Sequence, residues 1–293
     1  MKAGQASRTA QHMALFRAME SALPAKRRLF DDQLAARALS PGLRVVVALS
    51  KVPGVGKILS TFIDYNWPEG RTSGVARTRF IDDQAKTALA SGVEQVVILG
   101  AGFDARAYRF AEMAQHSVFE VDHPATSAAK QAMVNRALGA LPQYVRFVAV
   151  NFDTESLAQA MNAAGYHAHK RTLFIWEGVT NYLSEVAVDA TLRWCAAAAA
   201  GSTVIFTYIH KEVLAHPDAF FGGEKIAATV QGVGERWTFG LEPAKLPDFL
   251  EQRGLMLQQD VGASDYRARY YGAAAQRMRG YEFYHIVVAE VAA

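Results

Sequence analysis

The chain has 293 residues, 51% of them apolar and 20% charged, which suits a folded protein with a large core and excludes wholesale disorder. Lys and Arg number 31 against 28 Asp and Glu, so the net charge is +3, too small to argue for nucleic acid or an anionic membrane as a partner. Cys195 is the only cysteine, which rules out an internal disulfide, a multi-cysteine zinc site and an iron–sulfur cluster and suits a reducing compartment.

The first 20 residues are mixed polar and apolar and lack the continuous apolar stretch of a secretory signal. The longest apolar runs, Val45 to Leu49 and Cys195 to Ala200, fall far short of the ~20 residues that span a bilayer, so a cytoplasmic protein is expected. Residues 1–92 read as a helical N-terminal extension, broken at Pro24, Pro41-Gly42, Pro53-Gly54 and Trp67-Pro68-Glu69-Gly70. Within it, Phe80, Ile81, Ala85, Ala88 and Leu89 recur at helical spacing over residues 75–90, and Ser91-Gly92 closes that helix.

From residue 93 short β-branched runs alternate with helical stretches. Strands are predicted over Gln95–Leu99, Val118–Val121, Val145–Val150, Thr172–Trp176 and Thr203–Tyr208, with an Ala-rich helix over 184–200. This alternation predicts βαβ units and a mostly parallel sheet covered on both faces. Residues 243–253 read as a helix ending at Gly254, then Leu255–Val261 and residues 281–291 as an antiparallel pair on the sheet edge, joined by about 20 polar residues without a helical period. Residues 210–242 hold no clear strand and are rich in Gly, Phe and His, which reads as an inserted lid or binding loop. With no repeat and no low-complexity linker, we expect a single domain: extension 1–92, core 93–209, lid 210–242 and C-terminal sheet edge 243–293.

The sharpest local signal is Val96-Val97-Ile98-Leu99-Gly100-Ala101-Gly102-Phe103-Asp104, a buried strand entering a glycine turn and then a helix. Twenty-two residues after Gly100, Asp122 ends the second strand, where an acid can bind both hydroxyls of a ribose. Two cofactors share this geometry. Gly100-x-Gly102-x-x-Ala105 satisfies a dinucleotide fingerprint, and S-adenosylmethionine binds in the same crevice. Asp104 favours the second weakly, because a carboxylate repels a pyrophosphate and tolerates a cationic methionine; so does the antiparallel final pair.

Three segments, GAGFDARAYR at 100–109, FEVDHPAT at 119–126 and FIWEGVTNYL at 174–183, resemble the leucine carboxyl methyltransferase family, and more closely its bacterial S-adenosylmethionine-dependent O-methyltransferases, which include polyketide carboxyl methyltransferases. The resemblance is dense from about Thr72 to Cys195. It implies an α/β class I methyltransferase (Rossmann-like) fold with a seven-stranded sheet, the last strand antiparallel, and added N-terminal helices. It also implies site residues. Arg77, with Arg79 as the alternative, matches the arginine that holds the cofactor carboxylate near the acceptor; Gly100, Ala101 and Gly102 match the glycine turn; Asp122 matches the ribose acid. Asn151-Phe152 stands where the family has an acid and an apolar residue near the adenine, so the charge is lost although the Asn carbonyl still accepts. Glu177 matches the glutamate after the fourth strand, and Tyr182 the tyrosine beside acceptor and methyl group.

Each residue has a plainer reading. Asp122 can cap the next helix, for which His123-Pro124 suits the entry; His123 is either a base for a hydroxyl acceptor or structural; Glu177 needs a partner such as a ligand or a helix N-terminus, Arg77 can be a salt-bridge partner, and Tyr182 can be core. Val52-Pro53-Gly54-Val55-Gly56-Lys57-Ile58 lacks the glycine spacing and hydroxyl of a phosphate loop. His167-x-His169 lacks a third ligand, so no metal is expected, and no GxSxG elbow exists. Lys26-Arg27-Arg28 and Arg277/Arg279 read as solvated charge, while Phe220, Phe221, Trp237 and Phe239 either line an acceptor pocket or pack the lid to the sheet. The expected function is methyl transfer from S-adenosyl-L-methionine to an oxygen. A small-molecule carboxylate such as a polyketide's is favoured because it is already ionised and the sequence offers no evident base. A protein's C-terminal carboxylate, a phenol or hydroxyl acceptor, an NAD(P)-dependent oxidoreductase and a non-catalytic cofactor-binding subunit remain open, as does the oligomeric state.

Overall fold

The computed structural model describes residues 8–67, 70–151, 155–232 and 236–293. Helices come first: α1 (Arg8–Ser21), α2 (Pro41–Ser50), α3 (Val55–Asn66) and α4 (Arg77–Ala90). Pro41 sits in the first turn of α2, where a missing N–H leaves no hydrogen bond unmade. A π-helical turn, Gly70–Ala76, leads into α4. Gly70 and Gly74 lie under the ring of Phe16 from α1, and a Cβ on them would stand 2.8 and 2.6 Å from that ring, so glycine is what lets α1 seat there.

Strands and helices then alternate: β1 (Gln95–Leu99), α5 (Arg106–Arg109), β2 (Ser117–Asp122), α6 (Pro124–Leu138), β3 (Val145–Ala149), α7 (Leu157–Ala163), β4 (Thr172–Trp176), α8 (Glu185–Ala196) and β5 (Thr203–Ile209). The five strands match the predicted spans to within one residue at either end. The chain continues with α9 (Glu212–Ala215), α10 (Gly223–Gly232), α11 (Leu246–Glu251), β6 (Leu255–Gly262), α12 (Ala263–Tyr271) and β7 (Tyr284–Val291). Two expectations need correction. The polar stretch between the last strands is helical, as α12 and a 3₁₀ turn over Gly272–Arg277. Residues 210–242 carry α9 and α10 rather than open loop, with an isolated bridge between His210 and Leu241.

The seven strands form one sheet in the order β3-β2-β1-β4-β5-β7-β6. β1 to β5 are parallel, and β7 runs antiparallel between β5 and β6, so β6 is the edge. Every residue of β1 and β4 is buried, because helices cover both faces. Val97, Leu99, Phe174, Trp176 and Phe206 pack under α8 and α11 on one face; Val96, Ile98, Leu173, Ile175 and Ile205 pack under α4 and α12 on the other. The parallel strands deliver their C-terminal ends to one edge, with the glycine turn after β1, Asp122 ending β2, Asn151 after β3 and Glu177 after β4.

Candidate active site

At the end of β1 the backbone turns through Gly100 (φ +62°) and Gly102 (φ +40°). A side chain at Gly100 would also collide with Val179, its Cβ 2.3 Å from Cγ2. The Ala101 N–H donates to the Val121 carbonyl at 3.0 Å, which ties the turn to β2. Asp122 Oδ2 accepts from the Gly102 N–H at 2.5 Å and Oδ1 from the His123 N–H at 2.7 Å. These bonds fix the carboxylate and leave it lone pairs for a ligand's hydroxyls. Burial nevertheless pushes the Asp122 carboxyl above the usual aspartate value. Outside the turn there is room: a Cβ on Gly102 would meet nothing nearer than the Gly100 carbonyl oxygen at 3.7 Å. An open backbone turn beside an oriented carboxylate fits a ribose-bearing cofactor.

A buried ion pair supports this turn from below. Lys130 Nζ of α6 lies 2.7 Å from Glu120 Oε1 in β2 and donates to the Ala101 carbonyl at 3.2 Å. The Tyr108 hydroxyl donates to Glu120 Oε2 at 2.8 Å. Burial raises the Glu120 carboxyl, with Lys130 opposing.

After β4, Glu177 pairs with two arginines. Its Oε1 accepts from Arg77 Nε at 2.9 Å and its Oε2 from an Arg106 terminal nitrogen at 2.8 Å. Arg106, 2% exposed, also binds Asp82 at 2.8 Å and Asp104 at 2.5 Å, and Arg109 pairs with Asp82. Three guanidinium groups thus face three carboxylates, the balance a buried cluster requires. Burial alone would raise Asp104, but Arg106 and Lys130 outweigh it and hold the carboxyl at about 2. Glu177 is likewise lowered against burial by Arg106 and Arg77, and Arg77 is raised against burial by Glu177. Arg79 faces elsewhere, toward Asp83 and the Leu29 carbonyl. Asn151 follows β3, with its N–H donating to Glu155 at 2.7 Å, and Phe152 lies outside the described residues.

Tyr182 ends a 3₁₀ turn after β4 and packs on a cluster of Ile209, Trp237, Tyr281 and Phe283. Tyr284 belongs to the same cluster, and the Arg77 guanidinium lies 5.7 Å from its ring centroid. The proposed lid aromatics therefore separate. Phe220 and Trp237 join this cluster, each 5.8 Å from Phe283, whereas Phe239 packs against Phe249 at 6.4 Å and Phe221 is exposed beside Arg279. From above, α1 reaches both halves: Arg17 donates to the Phe103 carbonyl at 2.6 Å, and an Arg77 terminal nitrogen meets Met13 Sδ at 3.5 Å. Open clefts of about 210 and 600 Å³ lie at the base of the 210–242 segment, and their linings include no residue of the glycine turn.

Arg106, Asp82, Lys130, Glu120 and Tyr284 had no assigned role in the sequence. The available signals were Arg106 within GAGFDARAYR and Glu120 within FEVDHPAT, charges that no apolar or turn function explains.

The sequence profile of leucine carboxyl methyltransferases matches residues 10–196, about two thirds of the chain. The chain belongs to the leucine carboxyl methyltransferase family. Among its relatives, FRAAL3718 of Frankia alni is 37% identical over 200 residues, covering 68% of this chain and 67% of that protein. SCO7813 of Streptomyces coelicolor is 43% identical over 118 residues, covering 40% of this chain and 41% of that one, so the match spans well under half of its length. Both are provisionally named S-adenosyl-L-methionine-dependent methyltransferases. In fold, the chain is similar to a DUF574 family protein from Streptomyces avermitilis (13% identity, TM-score 0.55, 98% of each chain). It is also similar to a provisionally named methyltransferase from Thermobifida fusca (15% identity, TM-score 0.54, 95% of this chain and 94% of that one). The family is thus one of S-adenosyl-L-methionine-dependent methyltransferases, and the seven-stranded class I fold agrees with it.

Proposed function

We propose that this protein transfers the methyl group of S-adenosyl-L-methionine to an acceptor oxygen, most directly a carboxylate on a small apolar or aromatic molecule of polyketide type. The observation that carries this reading is the Arg77 guanidinium, pinned by Glu177 at 2.9 Å and set against Tyr284 in the aromatic cluster that holds Tyr182. When bound, the cofactor supplies an electrophilic methyl on a sulfonium. Gly100, Ala101 and Gly102 would seat it, Asp122 would accept from its ribose hydroxyls, and Asn151 would face the adenine. Glu177 holds Arg77 and Arg106 rigid, so that Arg77 meets the methionine carboxylate without reorganising.

A carboxylate acceptor needs no base. Its oxygen needs alignment and donors, which Arg77 and Tyr182 supply, and exclusion of water, which the rings of Trp237, Phe220 and Phe283 supply. Trp237 Nε1 is buried with no hydrogen-bond partner among the described residues, a further donor beside that wall. His123, the base a hydroxyl acceptor would recruit, accepts the Ala125 N–H at 3.3 Å and caps α6 instead. The test is a screen with methyl-labelled S-adenosyl-L-methionine over aromatic acids and phenols, followed by mild alkali. Label released by alkali marks a methyl ester and supports the proposal; alkali-stable label on phenols alone would replace it with ether formation.

A further inference from the structure

Among the described residues twelve large apolar side chains are exposed, and seven of them fall between residues 45 and 65. Val45 and Leu49 of α2 and Val52 just beyond it recur at helical spacing, as do Val55, Ile58, Phe62 and Tyr65 of α3. Ile58 is 71% and Tyr65 86% exposed. Each helix therefore carries an outward apolar stripe, opposite the buried Val47, which packs with Leu15 and Ala18 of α1, and Ile63, which packs with Phe16 and Val75. A patch of this kind on a globular protein marks a surface that something covers.

Charge selects the occupant. Across α2 and α3, from Pro41 to Asn66, the chain has Arg44, Lys51 and Lys57 against Asp64 alone, with Arg37 just before, so the hairpin carries +2 of the whole chain's +3. All four cations are exposed. The small whole-chain charge conceals this local excess. Apolar side chains protruding from a hairpin and flanked by lysine and arginine are the pattern of a helix pair lying in the headgroup region of a bilayer. Pairing two copies through the same face would set like charges together. No described helix is long and apolar enough to cross a membrane, so the attachment is peripheral.

We propose that the α2–α3 hairpin docks this protein on an anionic phospholipid surface, with Leu49, Val52, Val55, Ile58 and Phe62 entering the interface and Arg44, Lys51 and Lys57 meeting lipid phosphates. The hairpin adjoins the 210–242 segment: Lys225 of α10 donates to the Asn66 carbonyl at the end of α3 at 2.8 Å. A docked protein thus holds its 210–242 segment near the bilayer.

The test is co-sedimentation of the full chain with phosphatidylcholine vesicles, with and without phosphatidylglycerol. Pelleting with the anionic vesicles only, weakening as salt rises, is expected. Removing two charges in K51Q/K57Q should lower vesicle affinity about 30-fold at low salt, from about 1 kcal/mol per basic residue. I58D/F62D should abolish pelleting while leaving the thermal melt and S-adenosyl-L-methionine titration unchanged, which separates docking from folding and from the methyl-transfer reading. Absence of pelleting at low salt would overturn the proposal. So would a dimer in sedimentation velocity that I58D/F62D breaks without any vesicle binding, or salt-sensitive retention on an acidic polypeptide column alone.

Discussion

Around the glycine turn, groups are fixed by charge and backbone: the Gly102 N–H on Asp122, Lys130 between Glu120 and the Ala101 carbonyl, and Glu177 between Arg77 and Arg106. Around Tyr182 they are fixed by ring packing, Trp237 and Phe220 against Phe283 and Tyr281 stacked on Phe283 at 5.2 Å. Arg77 belongs to both, bonded to Glu177 on one side and facing Tyr284 on the other. The difference is one of tolerance. A buried ionic lattice fails when one charge is lost, whereas an aromatic wall accepts exchanges of shape at small cost and so can suit different acceptors on one cofactor frame.

The largest way to break the ionic half is Arg106→Met. Three carboxylates, Asp82, Asp104 and Glu177, then lose a buried partner, and urea unfolding should show a loss of about 3–5 kcal/mol. Glu177→Ala frees Arg77 and should weaken S-adenosyl-L-methionine binding by about 1.5–3 kcal/mol in calorimetry. Unchanged affinity in a folded variant would remove Glu177 from the site.

Acid sharpens the comparison next. Asp104 titrates at about 2 when folded, below its unfolded value, so its contribution of about 2 kcal/mol is complete above about pH 4 and is lost as pH falls toward 2. Asp122 moves the other way. Its folded carboxyl is raised, so cofactor affinity should decline at a higher pH than ordinary aspartate titration would give, before the ionic lattice itself weakens. Calorimetric affinity and urea stability measured across pH 3 to 7 should therefore fall in that order. The smallest effect is expected on the aromatic side: Tyr182→Phe should leave stability and cofactor affinity in place and reduce kcat by about tenfold, the loss of one hydrogen bond to the acceptor.

The same contrast explains what the sequence disclosed. β1 and β4 were legible because their apolar runs are buried on both faces, and Asp122 and Glu177 because a charge ending such a run stands out. Arg106 stayed unassigned because, although Asp104 stands two residues away, Asp82 and Glu177 lie 24 and 71 residues away, and no local pattern announces them. Tyr284 opens a strand that reads as ordinary sheet edge, and its approach to Arg77 depends on β7 entering between β5 and β6. α12 was hidden because, in its polar sequence, only Ala263 and Tyr266 are buried, too few to show a helical period. The basic hairpin was masked by the whole-chain charge.

The most direct measurement is calorimetric titration of the purified protein with S-adenosyl-L-methionine and, separately, NADH. Saturable binding of S-adenosyl-L-methionine with none of NADH is the predicted result, lost in Asp122→Ala. Saturable NADH binding without S-adenosyl-L-methionine binding would contradict the account and assign the glycine turn to a dinucleotide.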